Sequence, residues 1–353
     1  MGVAAQKIGI LLIPALLLGG CNPFSSAGSM MDEYVERVAR VLELEPEFSE
    51  LPPASVFPRR RDRQLPMPEL EMSMLDFLSL YGCELQYVVG EKNSVMGKVM
   101  QPLNRLRYEL RFIEAGEDCL PEVNREGVRE SLEEAIASKK ETLPVVLWNA
   151  TWGVEEVESL FTLAKGDYPV VTEENPVSDL AIDANRLNRM IKQLLSGDLS
   201  PSLDSVGAVH QRWQAEYRAG QLINSARLLT GRLEDASALL EQRIEGRPLC
   251  LGGKSNSQSD IVQNMFFSVY IEKIQPYMSS IIRARNQLIE PLSQLAGMQE
   301  KVMPAEFEEW YGYHLATGVD ANSSLWTRLD LAMARHTQLW QTLLEQCGLR
   351  PQA

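Results

Sequence analysis

The sequence predicts an all-α protein, a large bundle of long antiparallel helices that follows a Pro-rich N-terminal segment. Apolar residues recur at three- and four-residue spacing over most of the chain, which is typical of amphipathic helices. Several of these stretches are long and are joined by short turns, as in a helix bundle. Runs that resemble strands are few, at 145–148 and 169–172, and Leu143–Asn149 fits a helix equally well.

The N-terminus resembles a bacterial lipoprotein signal. Lys7 precedes an apolar run over 8–18 that is too short to span a bilayer, and Gly19-Gly20-Cys21 follows it. We therefore expect residues 1–20 to be a signal peptide and residues 21–28 a tether, with acyl chains on Cys21 as a stable lipid anchor. Asn22, where inner-membrane lipoproteins carry Asp, predicts the periplasmic leaflet of the outer membrane. The alternative is an ordinary cleaved signal peptide.

Residues 29–73 are predicted to form one helix and a Pro-rich loop. The helix covers 31–42, with Ser29-x-x-Asp32 as its capping signal, and six prolines exclude a continuous helix over 45–73. The loop contains the basic run 59–63. It could lie against anionic lipid headgroups. We favour a solvated loop, or pairing with the acidic surface of the protein itself.

Residues 74–353 are predicted to be a helical domain. Most of its elements follow from apolar periodicity, Pro positions and Gly stops. The predicted helices cover 74–81, 95–113 with a bend or a restart near Pro102, 129–140, 154–165, 180–194 ended by Gly197, 200–245 ended by Gly246, a long helix capped by Ser257-x-x-Asp260 and kinked at Pro276 and Pro291, 307–314 and 325–347.

Four cysteines remain after Cys21, an even number that is compatible with two disulfides in an oxidising compartment. We favour the pairs Cys83–Cys119 and Cys250–Cys347, because each would bracket a helical hairpin. Four reduced, buried thiols are the alternative. The spacings do not fit a structural zinc site.

Composition and motifs exclude several function classes. A net charge of −14 without a basic face argues against nucleic acid as a partner. The signature G-x-S-x-G of serine hydrolases is absent. Gly252-Gly253-Lys254-Ser255 resembles the end of a phosphate-binding loop, but Pro248 occupies the place of its first glycine, so we interpret it as a loop between helices. We predict neither an enzyme nor a cofactor.

The three histidines, His210, His314 and His336, each lie on the apolar stripe of a predicted helix. They could converge on a metal, but no pairing on a single helix supplies two ligands, so we interpret them as packing residues and predict no metal. Five aromatic side chains could similarly line a cavity for an amphiphile, or simply fill the core, which we favour: Trp213, Tyr217, Trp310, Tyr311 and Trp340.

One helical stretch carries a possible interaction face. Lys98 and Gln101 are an i,i+3 pair, and Arg105 and Glu109 an i,i+4 pair on the following turns. The same residues could instead form an internal salt-bridge network, which we favour.

Short segments spread over most of the chain resemble an uncharacterised family of gammaproteobacterial lipoproteins, the domain of unknown function numbered 3080. The segments are Leu80–Gln86, Leu147–Trp152, Arg247–Cys250, Ile274–Tyr277 and Gln346–Gly348. The resemblance implies lipoprotein export. It implies no activity and assigns no catalytic residue.

The sequence thus favours a membrane-anchored periplasmic protein with a non-catalytic interaction or scaffold role in the cell envelope. Its expected partners are the membrane, through Cys21, and an unidentified envelope protein or lipid. The alternatives are a helical bundle that binds a lipid or another amphiphile and, third, an envelope hydrolase.

Overall fold

The fold was examined in a computed structural model, which describes residues 26–67, 82–93, 99–172, 174–317 and 323–349. These residues are mostly helical and contain no β-strand, so the all-α prediction is confirmed. In the same ranges, no helix combines the length and apolar character needed to cross a membrane. The helices are α1 (Ala27–Leu42), α2 (Arg60–Arg63), α3 (Glu84–Asn93), α4 (Pro102–Cys119), α5 (Glu126–Thr151), α6 (Val157–Leu160), α7 (Ser178–Leu195), α8 (Val206–Ala215), α9 (Arg218–Glu245), α10 (Ser257–Met265), α11 (Gln275–Ala284), α12 (Glu290–Gly297), α13 (Ala305–His314) and α14 (Leu325–Glu345).

The bundle is built around α9, which packs against both α1 and α14. Ion pairs join Arg328 to Glu234 and Arg335 to Glu241, so α9 and α14 run in the same direction. The run from α10 to α12 separates them in sequence and runs the opposite way, with Tyr277 bonded to Ser225 near the start of α9. The α10–α12 run is therefore antiparallel to α9, whereas α14 is parallel to α9.

Two predicted helix caps are wrong by a few residues. Ser26, rather than Ser29, caps α1, and its hydroxyl accepts a bond from the Ser29 N–H at 3.2 Å. Asn256, rather than Ser257, caps α10, and Ser259 completes that capping box. In both cases a serine at the third helical position takes the place of the usual acidic residue.

The restart predicted near Pro102 is confirmed, since Pro102 is the first residue of α4. Three predicted helix boundaries differ. The predicted helix over 154–165 is the short α6 followed by a 3-10 turn at Leu163–Lys165. The segment 129–140 belongs to the longer α5, which continues through Pro144 and settles the 143–149 segment as helix. The predicted helix over 200–245 is two helices, because the backbone at Glu216 is extended and breaks the turn between α8 and α9. The 74–81 helix lies outside the described residues.

The kinks predicted at Pro276 and Pro291 take the form of π-helical segments. Residues Phe266–Ile274 precede Pro276, and Arg285–Ile289 precede Pro291. Proline has no N–H to donate and its ring crowds the carbonyl four residues earlier. A wider turn before each proline allows α10, α11 and α12 to form one continuous helical run.

The buried apolar side chains form two separate cores. The large core takes in α1, the C-terminal half of α5 and most of the helices from α7 onward. The small core runs from Cys83 to Ile136 and joins α3, α4 and the first half of α5. Helix α4 contributes to both, with Leu106 and Leu110 in the large core and Phe112 in the small one.

Both favoured disulfides are present. Cys83–Cys119 joins the start of α3 to the end of α4, within the small core. Cys250–Cys347 joins the loop after α9 to the end of α14, at the edge of the large core. Gly252 and Gly253 lie in that loop with positive φ angles of 64° and 72°, so the Gly-Gly-Lys-Ser run is a turn between helices, as predicted.

Candidate functional site

A buried arginine holds the Pro-rich segment onto the end of α5. The Arg63 side chain is 0% exposed and donates hydrogen bonds to the carbonyls of Trp152, Val154 and Pro58. It also pairs with the Glu158 carboxylate at 2.7 Å. Burial lowers the pKa of the guanidinium, and Glu158 opposes that shift. Arg60 and Arg63 of the basic run therefore pair with acidic residues of the protein itself, as we favoured, whereas Arg59 forms no ion pair within the described residues.

Two residues of the Leu147–Trp152 segment complete this attachment. Trp148 Nε1 donates to the Arg63 carbonyl at 2.7 Å. The Asn149 side chain accepts from the Leu65 N–H at 2.8 Å and donates to the Leu65 carbonyl at 2.9 Å. A segment that carries the family resemblance thus has a structural role, since it fixes the path of the chain over residues 63–65.

Beside this attachment lies an open groove of about 750 Å³, which we call the Phe57 groove. Its volume is within the range of small-molecule sites in proteins. The residues that matter for its chemistry come from the Pro-rich segment, the α6 region and the α8–α9 junction: Val56, Phe57, Arg59, Phe161, Lys165 and Tyr217.

The floor of the Phe57 groove is aromatic. The Phe57 ring stacks on Phe161 with centroids 4.8 Å apart, and Trp310 meets both rings edge-on. The Arg63 guanidinium lies 4.7 Å from the Phe57 centroid on this buried layer. Such packing fixes the floor in place, so the groove is formed before any ligand arrives.

A glycine on α9 permits the close approach that shapes one wall. A Cβ at Gly220 would lie 2.0 Å from the Thr162 carbonyl oxygen, so no other residue fits there. Asn224 then donates to the carbonyls of Leu163 and Gly166 at 2.9 and 2.8 Å. Together these contacts hold Lys165 at the rim of the groove.

The rim combines an exposed apolar residue with positive charge. Val56 is 81% exposed, and Arg59 and Lys165 are exposed as well. The Tyr217 ring lies between two cations, 5.8 Å from Lys165 Nζ and 5.1 Å from Arg218 Cζ. A ring with cations near its face and a polar hydroxyl suits a boundary between apolar and polar groups.

The acidic residues of the groove are already held by arginines. Glu158 binds Arg63 and accepts from the Arg60 N–H at 2.8 Å. Glu216 lies 3.6 Å from Arg218. Arg59 and Lys165, in contrast, form no ion pair with any carboxylate in the described part of the chain. The groove is therefore apolar at its floor and net positive at its rim.

Two of the four residues of the possible interaction face, Arg105 and Glu109, belong to an internal ion-pair network. Glu109 is 0% exposed, and its carboxylate pairs with Arg105 and lies 2.7 Å from Lys139 Nζ. Burial lowers the pKa of Lys139, and Glu109 opposes that shift. Arg105 and Glu109 thus form the internal network that we favoured. Gln101 is exposed before α4, and Lys98 and Cys21 lie outside the described residues.

The histidines are buried in separate hydrogen-bond networks. His336 contacts the Tyr34 hydroxyl at 2.6 Å and Ser237 Oγ at 2.9 Å. His314 Nε2 accepts from the Ser55 N–H at 3.1 Å, and His210 contacts the Ala150 carbonyl at 3.0 Å. Each imidazole is satisfied by protein groups, as expected of packing residues. Over the described ranges, no three His, Cys, Asp or Glu side chains form a potential metal site.

The five aromatic candidates do not share one cavity. The indoles of Trp213, Trp310 and Trp340 are buried and fill the large core. Tyr311 packs beside that core, and Tyr217 lines the Phe57 groove.

Sequence reasoning missed the Phe57 groove because its residues come from segments far apart in the chain. One local signal was present, since Val56 and Phe57 are two apolar residues directly before Pro58, which favours an extended backbone at the residue before it.

No curated protein matches the chain, and no solved structure matches it either. A family model described as "Protein of unknown function (DUF3080)" matches residues 31–351, which is most of the chain. The matched range includes both cores, both disulfides and the Phe57 groove. The resemblance found in the sequence is confirmed as to the family, and the chain belongs to that family of unknown function.

Proposed function

We propose that this protein is a lipid-anchored helical protein of the bacterial envelope, with an interaction role and no catalysis. The anchor is the acylated Cys21 and the location is the periplasmic leaflet of the outer membrane. Its interaction site is the Phe57 groove. The observation that carries the proposal is an open groove above the buried Phe57–Phe161 layer, whose rim exposes Val56 and two cations that form no ion pair within the described residues.

The groove is suited to binding rather than to acid–base chemistry. Its two carboxylates, Glu158 and Glu216, are bound by Arg63 and Arg218. A general acid needs a raised pKa, whereas an adjacent guanidinium favours the charged carboxylate. What remains available is apolar surface for contact and positive charge for orientation.

The anchor is tested by replacing Cys21 with alanine. We expect Cys21→Ala to abolish palmitate labelling and to reduce the share of the protein in the membrane fraction, because the acyl chains are the proposed anchor. Leu251→Ala is the control, since it changes an exposed residue far from the signal. Retention of palmitate label in Cys21→Ala contradicts the proposal.

The groove is tested by photo-crosslinking in intact cells. A photoreactive amino acid replaces Val56, which is 81% exposed at the rim, or Leu251, which is 79% exposed beyond the far end of α9. We expect one discrete adduct, to a protein or to a lipid, from position 56 and none from position 251. Equal labelling from both positions, or none from position 56, rules out the groove as the interaction site.

A further inference from the structure

The Phe57 groove lies at the end of the bundle where the described chain begins. A Cβ at Gly28, in the first turn of α1, would be 4.0 Å from Asp167 Oδ2. Asp167 follows the groove residue Lys165 by two positions. The five peptide units between Cys21 and Ser26 span at most about 18 Å. A lipid anchor on Cys21 therefore keeps this end of the protein close to the membrane.

The exposed charges at the rim of the groove are opposite in sign to the net charge of the protein. The chain has a net charge of −14, yet the groove exposes Arg59 and Lys165 while arginines neutralise its carboxylates. The positive charges of Arg218 and Arg283 also act on the neighbouring Tyr168. An acidic protein is repelled by anionic lipids in general, so a local positive rim beside an apolar floor favours an anionic ligand at this one place.

We propose that the Phe57 groove binds one anionic phospholipid from the membrane to which the protein is tethered. The phosphate lies between Arg59 and Lys165, and an acyl chain packs against the exposed Val56 side chain, above the buried rings of Phe57 and Phe161. The Tyr217 ring sits at the boundary between headgroup and chain, where tyrosine is favoured. This inference rests on the proposed function, because it requires the groove to be the interaction site.

The proposal is tested with the mature chain carrying Cys21→Ala, so that no covalent lipid contributes. Binding is measured to vesicles of phosphatidylcholine with phosphatidylglycerol and to vesicles of phosphatidylcholine alone. We expect binding to the first composition only. Arg59→Gln/Lys165→Gln should weaken it about thirtyfold. The matched pair Arg247→Gln/Lys254→Gln removes the same charge about 42 Å away, beyond the far end of α9, and should change it less than threefold.

Binding of a single molecule in the groove is tested by native mass spectrometry. We expect one phosphatidylglycerol per chain, and Ala215→Trp, which fills the groove at an exposed position, should abolish that complex. If Ala215→Trp retains the bound lipid, or if both charge pairs weaken vesicle binding equally, the lipid does not occupy the groove. A protein adduct at position 56 without a lipid adduct overturns this inference and leaves the proposed function intact, whereas the absence of any adduct removes both.

Discussion

The two cores of this protein solve the problem of buried polar groups in different ways. In the large core the buried His336 has neutral partners, the Tyr34 hydroxyl and Ser237 Oγ. At the edge of the small core the buried Lys139 has a charged partner, Glu109, and also lies 5.3 Å from the rings of Tyr108 and Phe112. A buried imidazole can be satisfied by hydroxyl groups, whereas a buried cation needs a countercharge, as the buried Arg63 also has in Glu158.

The position of the charged pair explains why it is tolerated. On α5, Ile136 belongs to the small core and Leu143 to the large one, and Lys139 lies between them. On α4, Glu109 lies next to Leu110 of the large core and three residues before Phe112 of the small one. The pair therefore marks the boundary between the two cores and sets how α4 and α5 meet across it.

Removal of the two disulfides should give the largest losses of stability, and the two losses should fall in different cores. On chain-entropy grounds, Cys250→Ser/Cys347→Ser lowers the free energy of unfolding by about 5 kcal/mol and Cys83→Ser/Cys119→Ser by about 4 kcal/mol, since the closed loops span 97 and 36 residues. Urea unfolding measures both. Hydrogen exchange should show the second loss confined to 83–136, because a small core depends more on its crosslink. If hydrogen exchange in α9 rises equally in both variants, the two cores do not respond separately.

The buried pair should be the next most sensitive point. Glu109→Ala leaves Lys139 buried without its countercharge, and we expect a loss of about 3 to 5 kcal/mol in urea unfolding. Glu117→Ala is a close control on the same helix, because Glu117 pairs with Lys140 at an exposed position and should cost less than about 1 kcal/mol. Equal losses from the two variants would mean that the pair at the boundary has no special role.

Acid should act on the large core first, since all three histidines are buried in or beside it. Burial lowers the pKa of His314 to about 4, against about 6.5 in the unfolded chain. The unfolded state therefore binds the proton first, and His314 contributes stability above pH 6.5 that is lost as the pH falls toward 4. The loss is about 3 kcal/mol.

The measurement is urea unfolding of the wild type and of His314→Gln at pH 7 and near pH 4. The variant should lose less stability over that range, because glutamine does not titrate. Protonation of Nε2 also removes the acceptor of the Ser55 N–H, so hydrogen exchange at Ser55 should rise in the wild type as the pH falls. An unchanged pH dependence in His314→Gln shows that the imidazole does not link acid to the large core.

The difference between the cores also shows what the sequence could predict. Apolar stripes identified α1, α7 and α14, and an even cysteine number with the expected helical hairpins identified both disulfides. The break at Glu216 and the continuation of α5 through Pro144 were missed, because both depend on tertiary contacts. Arg105 and Glu109, at i,i+4 spacing, could form an exposed interaction face or an internal ion pair. Only the burial of Glu109 in the structure decides between these two. The Phe57 groove depends on contacts between distant segments, which periodicity does not encode.

The smallest effect should come from the attachment of the Pro-rich segment, which links the large core to the groove. Asn149→Ala removes both bonds to the Leu65 backbone and leaves its buried N–H and carbonyl without partners, for a loss of about 2 kcal/mol. Asn185→Ala is the control, since that exposed side chain bonds only within its own helix. Limited proteolysis over 45–67 should become faster in the first variant alone, and the crosslink at position 56 should weaken with it. Faster proteolysis with an unchanged crosslink would mean that the groove binds its partner without this attachment. The variant therefore tests whether the attachment to α5 serves binding as well as stability.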